Sequence, residues 1–279
     1  KHRANFQKGG RCSMNPYRCV FQMGIEKSLE YRTNFVLTMT SSIFPIMIQT
    51  IMWTYFYGHT DATVSTGYTY SQIMVYTLLA TLVSQFVSTG FAWQINEDIK
   101  RGGLNKYLVR PVHYGAYQFC SFLGEKIPQL LLLLLVAVAV IFFSVTVFGL
   151  TLSGTRVFLF VISLLFALAL NFFLFFTVAL TSFWLTDVNH FFATISIVFV
   201  VISGGILPLD IFGQKAMLLT KLLPFGYTTQ FPVNIINGRY NLQMVGIGFL
   251  CQLFWIVFFG LLSESLWKKG LRHYVAVGG

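Results

Sequence analysis

Charged residues are scarce in this chain of 279 residues. Asp, Glu, Lys and Arg make up only 10% of it, whereas soluble globular domains carry about a quarter. Cysteine is also rare, with four copies and no C-x-x-C pair, so neither a disulfide scaffold nor a metal site is indicated. Collagen and disordered chains are excluded as well, because 56% of the residues are hydrophobic.

Hydrophobic residues are concentrated in long runs. Six segments of 22 to 29 residues contain no Lys, Arg, Asp or Glu, and about 20 residues suffice for a helix to cross a bilayer. Strict alternation of polar and apolar residues is absent, which disfavours a membrane β-barrel. The predicted fold class is an all-α integral membrane protein with six transmembrane helices, at residues 34–57, 70–93, 127–149, 157–185, 188–209 and 242–263.

The positions of the basic residues predict the orientation. Of the 19 Lys and Arg, 15 lie before the first span, between the second and third spans, or after the sixth. Positive residues are enriched in cytoplasmic segments, so both termini are expected in the cytoplasm. The net charge of +10 is therefore mainly a topology signal, and a nucleic-acid partner is not expected.

The segment before the first span predicts an amphipathic helix at residues 16–32, which we expect to lie in the membrane interface. The alternative is a solvated helix. Residues 1–15 lack an initiator Met at position 1 and are interpreted as an extension or a cloning remnant; residues 33–274 form the six-span domain, and 275–279 a tail. Apolar residues recur at helical spacing in this amphipathic segment, at Tyr17, Val20, Phe21, Ile25 and Leu29.

The connection between the second and third spans, residues 94–126, contains a short apolar face of its own. Gly102 and Gly103 interrupt a helix there, and Pro111 ends the segment that follows, because a residue before proline is pushed out of the α region. A short helix with an apolar face and a charged rim suits the groove of a partner; the alternative is a solvated linker. The predicted apolar face consists of Leu104, Tyr107 and Leu108, and the predicted charged rim of Glu97, Asp98, Lys100 and Arg101.

The connection between the fifth and sixth spans, residues 203–240, is too apolar to remain in water. We predict that residues 214–223 form a short re-entrant helix that dips into the outer leaflet as a lid. The alternative is a seventh, poorly spanning segment. The residues assigned to this outer lid are Gly204, Gly205, Pro208, Leu218, Leu222 and Pro224.

The second span carries a polar stripe at helical spacing. Hydroxyl and other small residues commonly hold membrane helices together, so close packing is the first interpretation. The second is a weakly polar substrate path, shared with the first and fifth spans, that suits amphiphilic cargo. The candidate path residues are Ser41, Ser42, Gln49, Thr77, Thr81, Ser84, Gln85 and Ser88, with Thr89, Thr194, Ser196 and Ser203 beside them.

Four motifs occur in a fixed order around the six spans. They are L-E-Y-R-T-N-F at residues 29–35, E-D-I-K-R-G-G-L-N-K-Y-L-V-R-P-V at 97–112, G-G-I-L-P-L-D-I-F at 204–212 and W-K-K-G-L-R-H-Y at 267–274. In this order the chain resembles the type-2 permeases of ATP-binding-cassette exporters, in the bacterial branch with one six-span domain per chain. The resemblance implies a multi-pass protein of the bacterial inner membrane, paired with a second permease and with two ATPase subunits on the cytoplasmic side.

The resemblance also implies roles for the cytoplasmic segments. Residues 16–32 would form the interface helix against the ATPase, and the coupling helix would lie between residues 97 and 111. Whether the second permease is identical or related stays open, as do the substrate and the direction of transport beyond the resemblance. The coupling residues implied are Glu97, Asp98, Lys100, Arg101, Gly102, Gly103, Leu104, Tyr107, Leu108 and Pro111.

The chain has no G-x-x-x-x-G-K-[S/T] phosphate loop, so we expect no enzyme activity and no cofactor in it. ATP and Mg²⁺ would bind to the partner ATPase. Two alternatives from other classes remain open. A stand-alone carrier or channel would need ion sites, yet the predicted spans hold no charged residue, and an intramembrane enzyme has only His59, Asp61, Asp187 and His190 as candidates.

Overall fold

The computed structural model describes residues 16–30, 37, 40–59, 67–109, 111–148, 153–185, 189–213 and 222–274. Every regular element in these ranges is helical, which confirms the all-α prediction for them. The predicted extension and tail, and the last two residues of the predicted interfacial helix, lie outside these ranges.

The helices follow one another along the chain as α1 (Pro16–Glu30), α2 (Ile43–His59), α3 (Tyr70–Val87), α4 (Phe91–Lys100), α5 (Asn105–Leu108), α6 (Tyr114–Phe148), α7 (Gly154–Leu180), α8 (Asn189–Ile202), α9 (Gln230–Ile236) and α10 (Leu242–His273). Short 3₁₀ turns follow α7 at Thr181–Phe183 and lie between α8 and α9 at Leu209–Phe212 and Phe225–Tyr227.

Four segments are long and apolar enough to cross a membrane. They are Tyr70–Lys100, Tyr114–Leu135, Gly154–Phe183 and Leu242–His273, and they correspond to the second, third, fourth and sixth predicted spans. The helices at the first and fifth predicted spans, α2 and α8, are apolar but have 17 and 14 described residues. The protein is therefore a multi-pass membrane protein, and the count of six spans stays a prediction.

Several helix ends differ from the ends of the predicted spans. Two helices extend past a predicted span, because charged residues end a membrane span but not a helix. Helix α6 begins at Tyr114 instead of residue 127, where the backbone N–H of Ala116 donates to His113 Nδ1 at 3.4 Å and so satisfies one free donor of the first turn. Helix α10 continues beyond residue 263 to His273. Helix α3 stops at Val87, and α4 resumes after a break at residues 88–90.

Helix α1 crosses α6 at a pair of glycines. A Cβ added to Gly24 would lie 2.5 Å from the carbonyl oxygen of Ser121 and 3.1 Å from the Cα of Gly124, and a Cβ on Gly124 would collide with the carbonyl oxygen of Phe21. Only glycine permits this approach, as in other close helix crossings in membranes. An ion pair between Lys27 and Glu125, at 2.7 Å, lies beside the crossing.

Helices α7 and α10 are joined by a buried polar contact. The side-chain amide of Gln252 donates to the carbonyl oxygens of Ser163 and Tyr227, at 3.2 and 2.9 Å, and both Gln252 and Ser163 are fully buried. In a bilayer such a bond contributes about 0.6 kcal/mol and at most about 1.7 kcal/mol. The opposite face of α10 is apolar and exposed, which suits contact with lipid or with another membrane chain.

Candidate functional site

The segment between the second and third spans folds back onto the end of the bundle. We call residues 91–113 the connector, and the end of the bundle at which it lies the connector end. It consists of α4, a turn at residues 101–104, α5, and the residues that lead into α6. One face of it packs on the bundle and the other is exposed.

The buried face is centred on the carboxylate of Asp98, which is 9% exposed. One carboxylate oxygen accepts from the Lys106 ammonium at 3.1 Å, and the other accepts from the Tyr114 hydroxyl at 3.2 Å. The Gln118 amide donates in turn to the Tyr114 hydroxyl at 3.0 Å. A buried charge needs such partners, so this network fixes the connector to the first turns of α6.

The glycine pair allows the turn that brings these groups together. Gly102 has φ of +75°, a conformation that side chains with a Cβ rarely adopt. A Cβ on Gly103 would lie 2.6 Å from the Asp98 carboxylate. The two glycines therefore have different roles. Gly102 provides a backbone conformation with positive φ, and Gly103 leaves room for the Asp98 carboxylate.

The ion pair responds to pH in a defined direction. Burial lowers the pKa of Lys106, while the hydrogen bond and charge of Asp98 raise it, and the net shift is upward. A cationic group with a raised pKa stabilises the fold below its unfolded pKa and loses that contribution as pH rises through the folded pKa. The contact is thus intact at neutral pH and weakens only above the usual lysine range, and half-exposure of Lys106 keeps its contribution small.

The structure corrects the predicted apolar docking face. Leu104 is 0% exposed and Tyr107 8% exposed, so neither can contact a partner, because both side chains fill the chain's own core. Leu108 is 46% exposed and Val109 82%. Val109 was not predicted, although it directly follows Leu108 and is as apolar.

The predicted charged rim also contains both a buried residue and exposed residues. Asp98 faces inward, which corrects its placement in the rim. The other predicted rim residues are exposed, and an ion pair at 3.6 Å links Arg101 with Glu97 along the surface of α4. The outward face of the connector therefore includes Glu97, Lys100, Arg101, Leu108, Val109 and Pro111.

Aromatic stacking ties the connector to α10 as well. The ring of Tyr114 stacks on that of Trp267 with centroids 4.8 Å apart, and Tyr107 contacts Tyr114 edge to face at 5.0 Å. The Tyr274 hydroxyl donates to the Asn105 side chain at 3.1 Å. These contacts of Tyr114 and Trp267 were not predicted from the sequence, in which the two residues are far apart.

Helix α1 lies at the same end of the bundle. The backbone N–H of His113 donates to the Tyr17 hydroxyl at 3.3 Å, which places α1 beside the last residues of the connector. The helix packs on α6 through Val20 and Gly24, while Arg18 and Glu26 are exposed.

The break between α3 and α4 is held by side chains from two other helices. At the end of α3, the Gln85 carbonyl accepts from the Ser88 hydroxyl at 2.7 Å. The carbonyl of Val87 accepts from the Asn171 amide, and that of Ser88 accepts from the Lys126 ammonium at 2.8 Å. Carbonyls at a helix end need partners outside the helix, and here α6 and α7 supply them.

Lys126 is suited to this position in other ways. It is 8% exposed, and its ammonium lies 5.6 and 5.7 Å from the ring centroids of Phe122 and Phe86. A cation at a helix C-terminus is favoured by the helix dipole, and aromatic faces attract it further. We call residues 88–90, with Lys126 and Asn171, the hinge.

Part of the predicted polar stripe is buried within the chain, and the rest is half-buried or exposed. Thr77 and Thr81 are 1% and 7% exposed, and the Thr81 hydroxyl donates to the Thr77 carbonyl at 2.9 Å. Ser84 packs against Gly205, where an added Cβ would lie 2.8 Å from its hydroxyl. This burial supports the packing interpretation for the middle of the stripe, whereas Ser88 at its end is exposed.

The other candidate path residues include both buried and exposed side chains. Ser42 and Gln49 are buried and Ser41 is exposed, while Gln85 is half-buried. On α8, the Thr194 hydroxyl donates to the backbone of its own helix. A path through these residues stays a prediction.

The predicted outer lid lies at the end of the bundle opposite the connector, which we call the far end. Gly204, Gly205, Pro208 and Pro224 are buried there, and Leu222 is exposed. Gly204 has φ of +81° and its carbonyl accepts from the Tyr76 hydroxyl at 2.6 Å. Leu218 and most of the predicted re-entrant helix lie outside the described residues.

A polar cluster missed by the sequence analysis lies beside these residues. Asp210 accepts from the Tyr68 hydroxyl at 2.8 Å and faces the Arg239 guanidinium at 3.9 Å. The guanidinium also lies 3.9 Å from the centroid of the Tyr68 ring. Burial, and then the charge of Asp210, raise the pKa of Tyr68, so its hydroxyl keeps its proton and remains a donor.

The comparison with protein families covers most of the chain. Residues 43–278 match the family model described as ABC-2 family transporter protein. The matched region includes the connector, the hinge, the far-end cluster and all four clear spans. No curated protein and no solved structure matches the chain.

Proposed function

The chain belongs to the ABC-2 family of transporter proteins, the permeases that work with an ATPase subunit, and we propose that it is the permease of an exporter that moves an amphiphilic or hydrophobic substrate outward. In this proposal two ATPase subunits bind ATP and Mg²⁺ and act on a pair of permease chains. The pair lies in the bacterial inner membrane with both termini in the cytoplasm.

The observation that carries this proposal is the two-faced connector. Its inward face is fixed by the Asp98 network and by the fully buried Leu104. Its outward face combines charged residues with an exposed apolar pair, Leu108 and Val109. Exposed apolar side chains within a charged rim are typical of a docking surface, so this face is where we propose that the ATPase binds.

The hinge supports a mechanical role for the connector. Because α4 is separated from α3 by three non-helical residues, a push on the connector can change its angle to the span without unfolding either helix. Movements of this kind occur at a few residues between rigid elements. The side chains of Lys126 and Asn171 would then pass the movement to α6 and α7.

The orientation is supported by charge. The connector, α1 and the end of α10 lie at one end of the bundle, and these segments hold nine of the 19 Lys and Arg residues of the chain. Basic residues favour the cytoplasmic side, which is also the side on which an ATPase meets ATP.

The substrate class is supported by the spans. α2 and α8 contain no charged residue, and neither do the central turns of Tyr70–Lys100, Gly154–Phe183 and Leu242–His273. The two charged residues inside Tyr114–Leu135 have partners within the chain, since Glu125 pairs with Lys27 and Lys126 donates to the Ser88 carbonyl. Transporters of ions or protons usually carry ionisable groups there, whereas a path of hydroxyl, amide and aromatic side chains suits amphiphilic cargo such as a lipid, a peptide antibiotic or a drug-like molecule.

Purification of the tagged chain from its native membrane in mild detergent tests this proposal, with mass spectrometry of the proteins that accompany it. We expect one ATPase species, and the number of permease species distinguishes a homodimer from a heterodimer. The proposal fails if no ATPase accompanies a preserved permease dimer in any detergent tried. Transport by the purified chain alone would instead support a stand-alone carrier or channel.

A further inference from the structure

A cavity of about 520 Å³ opens at the far end of the bundle, a volume within the range of small-molecule sites. Its walls have two different characters. The short α9 and the loops beside it contribute polar groups, and the first turns of α10 contribute apolar ones. The polar lining includes Asp210, Gln230 and Arg239, and the apolar lining includes Met244, Ile247 and Cys251.

The polar wall carries two charges that already compensate each other. Asp210 and Arg239 face each other at 3.9 Å, and their side chains are 12% and 24% exposed. Asp210 also accepts from the Tyr68 hydroxyl, and Arg239 donates to the carbonyl of Gly67. A carboxylate has about four acceptor positions and a guanidinium five N–H donors, so both groups keep capacity for a ligand.

This arrangement selects for the charge of a ligand. A head group with a net charge would leave one member of the Asp210–Arg239 pair partly uncompensated, which is unfavourable in a poorly solvated site. A head group with donors and acceptors but no net charge can bind to both members at once.

The apolar wall continues outside the cavity. Met244 and Ile247 are 52% and 61% exposed, and Leu250 and Phe254 extend the same exposed strip along α10. Because α10 is one of the four clear spans, this strip lies at the depth of the membrane. A chain that leaves the cavity along Ile247 and Cys251 would therefore remain in apolar surroundings.

We propose that this cavity binds an amphiphile with a polar head of no net charge, which contacts Asp210 and Arg239 while its apolar chain runs along Met244, Ile247 and Cys251. The ligand is either a resident bilayer lipid or transported cargo of the same chemistry. The inference depends on the membrane location of the chain and on the cavity, and it does not depend on the direction of transport.

The test uses the full chain in lipid nanodiscs, with a small fraction of phosphatidylcholine that carries a photoreactive diazirine in one acyl chain. After irradiation, mass spectrometry locates the labelled residues. We expect label concentrated between Met244 and Cys251, and loss of that label when anionic phosphatidylglycerol carries the diazirine instead.

Two exposed positions on α10 provide a matched pair of variants. Ile247→Trp fills the cavity and should abolish the label, whereas Leu250→Trp, at a comparably exposed position outside the cavity lining, should leave it unchanged. The pair Asp210→Asn with Arg239→Gln removes both charges of the site and should abolish the difference between the two lipids.

Three results would overturn the proposal. They are label spread evenly over the exposed strip as far as Phe254, equal label from both head groups, and no label near Ile247 with either lipid, both without the ATPase and with ATPase and ATP added. Label in nanodiscs without the ATPase identifies a resident lipid, and label that requires ATPase and ATP identifies cargo. Label in nanodiscs without the ATPase does not depend on whether an ATPase co-purifies with the chain, so binding in the cavity and the proposed function are tested separately.

Discussion

The two leucines of the connector provide the sharpest test of how this permease meets its ATPase. Leu104 and Leu108 lie one helical turn apart, yet the first is 0% exposed and the second 46% exposed. We predict that Leu104→Ala lowers the stability of the chain, and that Leu108→Asp weakens ATPase binding without a change in stability. Leu108→Met, which preserves the apolar side chain, is the matched control.

The magnitudes follow from burial. Truncation of a fully buried leucine costs about 2–5 kcal/mol of stability, and Leu104 has no contact with solvent that would reduce this figure. An exposed position such as Leu108 changes stability by about 0.5 kcal/mol or less. An apolar residue at the centre of an interface contributes about 2 kcal/mol or more to binding, and every 1.4 kcal/mol is about tenfold in affinity.

Two measurements separate these effects. The melting temperature of the purified permease reports stability, and titration of the ATPase against permease in nanodiscs reports affinity and the stimulation of ATP hydrolysis. Leu108→Asp should bind the ATPase at least about tenfold more weakly with an unchanged melting temperature. Wild-type binding and transport by Leu108→Asp, or an unchanged melting temperature in Leu104→Ala, would refute the assignment of the two faces.

Three further predictions concern the bundle. Gly124→Leu should separate α1 from α6 and lower the melting temperature, whereas Gly246→Ala, where nothing lies within 4 Å of the added Cβ, should not; equal effects would contradict the crossing. Lys126→Met or Asn171→Leu leaves a helix-end carbonyl without its partner, so each should lower the free energy of unfolding by about 1–3 kcal/mol, measured by chemical unfolding. Each should also reduce the coupling of ATP hydrolysis to transport. A variant that is as stable and as well coupled as the wild type would exclude the proposed hinge. Gln252→Leu should cost about 0.6–1.7 kcal/mol in the same unfolding assay, and a gain in stability would show that its bonds are not net favourable.

The connector illustrates where sequence patterns reach their limit. Its place between two spans, its glycine turn and its mixed composition were all predicted. The pattern could not show that Asp98, Leu104 and Tyr107 face inward, because a four-residue helix such as α5 has no periodicity from which to identify a buried side. That decision depends on Tyr114 and Trp267, which approach the connector only after α6 and α10 have packed.

The far end shows the same limit for charged residues. No sequence pattern links Asp210 with Arg239, yet they meet Tyr68 in one cluster although Tyr68 and Asp210 are 142 residues apart. Lys126 was counted only toward the topology. Its contact with Ser88 joins residues 38 positions apart, and neither residue alone indicates a helix cap.

The amino-acid sequence alone is enough to identify an all-α membrane protein, the approximate positions of its long apolar helices, the segments that carry positive charge and a candidate segment for docking. These properties follow from apolar length and charge along a single stretch of chain, since the bilayer acts on each span separately. The packing of the helices was needed to show which face of the connector is exposed, how α1 crosses α6 at Gly24 and Gly124, and which side chains meet at the hinge and at the far-end cavity. Those contacts join residues that are far apart in the sequence, so they form only when the helices pack together.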